Sequence, residues 1–173
     1  MSTPIDSLEP QIVWKYFDEI RKIPHGSGNE AALGEAVMGW ARERGAEAER
    51  DEVGNVVVRI PATPGREKAP GVVIQGHLDM VCEKNADKEF DFEKDAIELV
   101  RDGDWITADG TSLGADNGVG VAMGLAYLEM DDAPHGPLEI LCTVSEETGL
   151  DGATGLKEGF VRGRRLINLD SED

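Results

Sequence analysis

Three short apolar runs, each stopping at groups able to bind a cation, constrain this chain more than anything else in it. Val72-Val73-Ile74-Gln75 leads into Gly76-His77-Leu78-Asp79, the run 138–144 leads through Ser145 into Glu146-Glu147, and the run 166–169 leads into Asp170. Short runs rich in branched residues are the pattern of strands buried in a sheet. In open α/β sheets ligands bind beyond the carboxyl ends of the strands, so three separate strands bring an imidazole and several carboxylates to one edge. Between the first two runs lies 118–130, apolar almost all round its helical circumference, which predicts a helix buried on several faces. The strand, helix, strand order predicts an α/β sheet.

The remaining segments read as support for that sheet. Residues 10–22 place Val13, Phe17 and Ile20 at helical spacing between Pro10 and Pro24, which predicts an amphipathic helix. A second helix is expected from Ser27, where Ser27-Gly28-Asn29-Glu30 has the spacing of a capping box, with Leu33, Ala36, Val37, Trp40 and Ala41 as its apolar stripe and Gly45 as its stop. Strands are expected over 46–51 and 55–60, joined through Gly54-Asn55, as at a sheet edge. A Pro-rich loop spans 61–70, and the polar stretch 84–112 holds a hairpin, 97–100 with 105–107, turning at Asp102-Gly103. A length of 173 residues fits one domain.

Charge excludes whole classes of partner. The formal net charge of -18 lacks the Lys/Arg surface needed against a phosphate backbone or an anionic membrane, so no nucleic acid and no membrane are expected. No apolar run approaches the ~20 residues that span a bilayer. The start, Met1-Ser2-Thr3-Pro4-Ile5-Asp6, lacks the basic then apolar pattern of a secretory leader, and Cys82 and Cys142 form no disulfide framework; a reducing, cytoplasmic setting is the expectation. Most of the acids are read as a solvated surface.

A few acids sit where solvation is an incomplete answer. Asp116, in Gly114-Ala115-Asp116-Asn117-Gly118, directly precedes the buried helix and could simply cap it. Yet it joins three other acidic sites at one edge, and carboxylates gathered at short range raise one another's pKa until some protonate or a cation binds. One histidine with several carboxylates suits zinc, manganese or cobalt, and the number of groups could hold two divalent ions sharing a bridging carboxylate. His77 and Asp79, two apart in an extended segment, share a face, so that Asp79 can fix the imidazole tautomer. Glu146 and Glu147 cannot point the same way in a strand. One can ligate while the other takes a proton from an attacking water; two solvated acids in a turn before Gly149 is the alternative.

Four segments together carry a family resemblance. Gly76-His77-Leu78-Asp79-Met80-Val81, the segment from Gly110-Thr111-Ser112-Leu113 through Gly118, His135-Gly136-Pro137-Leu138-Glu139, and Ser145-Glu146-Glu147-Thr148-Gly149-Leu150-Asp151-Gly152-Ala153 resemble the aminoacyl-histidine dipeptidases of the zinc exopeptidase superfamily. The resemblance runs from the helical start to Ile167-Asn168-Leu169-Asp170-Ser171-Glu172. It implies the N-terminal portion of a catalytic domain with a mixed sheet flanked by helices. By the same resemblance His77 and Asp170 would hold one metal and Glu147 the other, with Asp116 bridging; Asp79 would orient His77 and Glu146 would be the general base. The family often has a cis peptide after the bridging Asp, here Asp116-Asn117. The implied substrate is a small Xaa-His dipeptide, carnosine-like ones included, cleaved with two divalent ions, zinc or else cobalt or manganese. The family also uses a histidine from far downstream and a lid and dimerisation domain inserted later. Neither is matched within these 173 residues, which predicts that this chain alone does not turn over, that the parent is a homodimer, and that the segment self-associates. His25 and His135 are not expected to replace the downstream histidine, nor Cys82 to serve the metals. Other peptidases or deacylases of the superfamily, and a non-catalytic metal-binding module, are the competing readings.

Overall fold

The computed structural model of the chain describes residues 3–170. Ser171 and Glu172, at the end of the matched motifs, lie outside the described residues. The elements are α1 (Gln11–Ile20), α2 (Ala31–Glu43), β1 (Glu47–Arg50), β2 (Val56–Ile60), β3 (Val72–His77), β4 (Leu99–Asp102), β5 (Trp105–Ala108), α3 (Ala115–Ala126), β6 (Leu138–Thr143), α4 (Asp151–Thr154) and β7 (Arg165–Asn168). Five strands form one mixed sheet in the order β1-β2-β6-β3-β7, while β4 and β5 make a separate hairpin. The parallel pairs are β3 with β6 and β3 with β7, and β2 runs antiparallel to β6. This is the α/β sheet the apolar runs predict.

Both faces of the central strands are covered. Every residue of β6 is buried. On one face Val56, Val58, Ile140 and Cys142 pack with Phe17 and Ile20 of α1 and with Val121 and Leu125 of α3. On the other, Val57, Val73 and Leu141 meet Phe160. Burial of each large side chain contributes about 1.5–3 kcal/mol before entropy is counted. Small residues let α3 lie close: a side chain on Gly118 would meet Phe17, and one on Gly124 would meet Ile74 and Ile140. Helical backbone in α3 begins only at Gly118, because Asp116 and Asn117 have non-helical φ/ψ. That start agrees with the expected one, although Met123 is exposed and the helix gives way to a turn after Ala126.

Two expectations are corrected. The third apolar run, 166–169, mostly falls in an edge strand, Arg165–Asn168, whose residues are all exposed, with Leu166 at 58% and Ile167 at 51%, while Leu169 just past it is half-buried; apolar content identified the strand, but burial depends on what packs against its open side. The capping box does not form either. Neither Ser27 nor Glu30 donates or accepts a side-chain cap on α2, which starts at Ala31 with Glu30 as its N-cap. Both side chains instead bond to residues far along the chain.

Candidate metal centre

The carboxyl ends of β3, β6 and β7 come together as the sequence predicts, and His77 is the centre of the group. Its ring is 1% exposed at the end of β3. Nδ1 lies 2.9 Å from the backbone oxygen of Asp79 and 3.3 Å from its carboxylate Oδ1. The tautomer is therefore held mainly by the Asp79 carbonyl, with the carboxylate beside it, and Nε2 faces the open edge. There it lies 3.0 Å from Asp116 Oδ1 and 3.8 Å from Asp170 Oδ2.

Two groups of possible ligands share this imidazole. His77, Asp116 and Asp170 have donor atoms all within 4.8 Å of one another, and so do His77, Glu146 and Glu147. Asp116 and Glu147 fall in different groups, but both line one cavity of about 320 Å³ with Met80, Val81 and Ser112. The peptide between Asp116 and Asn117 is cis.

Asp79 is 1% exposed, and its carboxylate does more than flank His77. Oδ1 accepts the Glu146 amide at 2.9 Å, while Oδ2 accepts the Glu147 amide at 3.2 Å and the Ser27 hydroxyl at 2.7 Å. Asn117 supports the other side: its Nδ2 donates to the Leu169 carbonyl at 3.0 Å, next to Asp170. Its Oδ1 is packed where a side chain on Gly76 or Gly120 would lie, so β3 needs a glycine just before His77. Sequence reasoning missed Ser27, Glu30 and Asn117 as supports, since their partners lie 52, 115 and 52 residues away.

The electrostatics show an excess of acid. Burial alone would lower the His77 imidazole, but the carboxylates of Asp79 and Asp116 outweigh it and push its pKa up to about 9. Burial would raise Asp79, yet His77, the Glu146 and Glu147 amides and Ser27 hold it down at about 2. Glu146 is raised by burial and by Asp170, Asp79 and Asp116, and Glu147 by burial, Asp116, Glu146 and Asp79, against the opposing pull of His77 in both cases. A divalent cation relieves such crowding. One imidazole nitrogen and four carboxylates are a donor set that fits zinc, cobalt or manganese.

The other histidines and the free thiols stay outside these groups. His25 is 3% exposed, with Nδ1 on the Ile23 carbonyl and Nε2 near Met80 and Gly114. His135 precedes β6 at the opposite end of the sheet, on Thr63 and Gly136. Cys82 is exposed, Cys142 is buried in the core, and burial raises both thiols.

The chain is a mixed α/β sheet flanked by helices, with a His/Asp/Glu cluster beyond its strand ends. No protein-family model matches the chain. It is 50% identical over 169 residues to the cytosol non-specific dipeptidase of Escherichia coli, a match covering 98% of this chain and 35% of that protein. The crystal structure of aminoacylhistidine dipeptidase from Vibrio alginolyticus superposes with a TM-score of 0.95 at 48% identity, over 98% of this chain and 35% of that one. A tripeptidase from Staphylococcus aureus shares the fold, with a TM-score of 0.78 at 24% identity over 94% of this chain and 44% of that chain. The chain thus resembles dipeptidases along nearly its whole length and spans about a third of theirs.

Proposed function

We propose that these residues are the N-terminal portion of the catalytic domain of a two-metal dipeptidase that hydrolyses Xaa-His and related dipeptides. The observation that carries the reading is the pair of ligand groups sharing His77, one with Asp116 and Asp170 and one with Glu146 and Glu147. By the family resemblance His77 and Asp170 would hold one ion and Glu147 the other, with Asp116 serving both. When bound, divalent ions polarise a scissile carbonyl and acidify water. Asp79 keeps the imidazole oriented through its carbonyl and sets the Glu146-Glu147 loop through its carboxylate. Glu146, half-buried beside the cluster, accepts the proton of the attacking water and returns it to the leaving amine; its raised pKa suits both directions of transfer.

The substrate and setting follow the relatives' names. One is called a non-specific dipeptidase and the other an aminoacylhistidine dipeptidase, so carnosine and a simple dialanine are the natural first substrates. The E. coli relative is named for the cytosol, and a cytoplasmic setting is part of the reading. Among the described residues no helix is long and apolar enough to cross a membrane. The parent enzyme is read as a homodimer with a lid domain, and this segment as one that self-associates through its exposed edge strand β7.

Calorimetric zinc titration of this chain and of its His77→Ala variant tests the site. The wild type should bind and the variant should lose at least ~100-fold in affinity, since a ligand itself is removed. Carnosine hydrolysis should appear in the longer parent chain, be absent from this segment, and disappear in the parent with Glu146→Gln while metal content is kept. Equal zinc affinity with and without His77 would refute the site, and turnover by the 173-residue segment would refute the need for the rest of the parent.

A further inference from the structure

We infer that Glu30 is a positioning residue for the metal site, holding the first of three consecutive amides whose placement aims Glu146 and Glu147. The inference rests on the metal-site reading above. Glu30 is 7% exposed. Its Oε1 accepts the Ser145 amide at 2.9 Å, the Ser145 hydroxyl at 3.1 Å and the Gly28 amide at 3.0 Å. Asp79 takes the next two amides, those of Glu146 and Glu147. Two buried carboxylates therefore capture the N–H groups of 145, 146 and 147 in succession, and the Ser27 hydroxyl on Asp79 ties the loop before α2 to the same cluster.

The backbone at the first of these amides needs such a hold. Ser145 has φ 50, in the left-handed region that a non-glycine residue occupies at a cost. It lies between Val144, buried just past the end of β6, and the Glu146-Glu147 pair. Rotation at this one residue would swing both glutamates relative to His77, whose position the sheet fixes. Charge-assisted bonds that an amide and a hydroxyl donate to a buried carboxylate are among the stronger hydrogen bonds available. A carboxylate placed merely to cap α2 would not reach 115 residues along the chain, and Glu30 makes no side-chain cap on α2.

Three variants separate positioning from simple stabilisation. Glu30→Ala removes the acceptor, Glu30→Asp keeps the charge but shortens the reach, and Glu30→Gln keeps an oxygen at the same reach without the charge. Cobalt(II) titration of the 173-residue chain, followed by visible absorption, should show roughly tenfold to hundredfold weaker binding in the Ala and Asp variants, the range seen when a group supporting a ligand is lost. The Gln variant should restore most of the affinity. Amide exchange by NMR on the metal-free chain should show Ser145 losing protection at least ~tenfold in Glu30→Ala while the β3 and β6 amides keep theirs. Wild-type cobalt affinity in Glu30→Asp, or unchanged exchange at Ser145 in Glu30→Ala, would overturn the inference. If Glu30→Ala fails to fold, the contrast between Asp and Gln decides it. No cobalt uptake by the wild-type chain would instead sink the metal-site reading, with Ser145 exchange still deciding whether Glu30 positions the loop.

Discussion

At the amino ends of β3 and β6 a guanidinium sits among carboxylates, and at their carboxyl ends an imidazole does, with opposite results. Arg59 is nearly buried and spends its donors on Glu139, Glu47, Glu49 and the Phe160 carbonyl. Glu139, equally buried, gives its second oxygen to the Arg162 and Gly163 amides. The cavity beside them, about 510 Å³, is larger than the one at the metal centre, but the charges lining it already have partners. At the other end His77 faces Asp116, Asp170, Glu146 and Glu147, whose negative charge meets no guanidinium or ammonium among the described residues. One end of the sheet has completed its charge pairing internally, while the other, on the proposed two-metal reading, would be completed by a cation. Cavity size alone would have pointed to the wrong end.

Breaking the paired end should have the largest effect. Arg59→Ala leaves Glu139 buried without its cation and should destabilise the chain by about 3–5 kcal/mol, read by urea unfolding, with zinc affinity unchanged. The double variant Arg59→Met, Glu139→Leu should recover most of that loss. A comparable loss in the double variant would show that the bonds to the Phe160 carbonyl and from the Arg162 and Gly163 amides, rather than the ion pair, were responsible.

The unpaired end should show itself in the pH dependence of the metal-free chain. The His77 pKa stands at about 9 when folded against 6.5 as the ordinary value. The bound proton therefore favours the folded state fully below 6.5, and that contribution fades as pH rises towards 9. Unfolding followed from pH 6 to 9.5 should show stability falling across this window, and His77→Gln should flatten the slope. On the proposed reading zinc would displace the same proton, so its affinity should rise with pH up to about 9 and then level off. A zinc affinity indifferent to pH in that range would contradict the assignment of His77 as a ligand.

The smallest expected effect sharpens the contrast further. Glu147→Gln removes one of the mutually repelling acids, so the metal-free chain should melt slightly higher, on the order of 1–2 °C, while binding zinc more weakly. Calorimetric scans with and without zinc would check both signs. A lower melting temperature without metal would mean that Glu147 contributes to stability through a contact rather than opposing it through charge.

How much of this could be read from the residues follows the range of each interaction. The strands β2, β3 and β6 and the helix α1 were legible because branched runs and helical spacing are local patterns. The gathering of His77, Asp116, Glu147 and Asp170 at one edge was legible because each follows a strand end or opens a helix. The capping-box spacing of Ser27 and Glu30 was also local, and it misled: those side chains found stronger partners in Asp79 and Ser145, which no short-range pattern reveals. Asn117 was hidden for the same reason. The burial assigned to 166–169 failed because an edge strand and a central strand can have the same composition.

The placement of β7 has a final consequence. His77 belongs to a strand paired on both sides, whereas Asp170 follows a strand that, among the described residues, pairs with β3 alone and is exposed along its length. An ion held by both would act as a clasp between the firmest and the loosest parts of the sheet. Fraying of that margin would then require release of the ion, so the lifetime of the closed edge would track metal concentration.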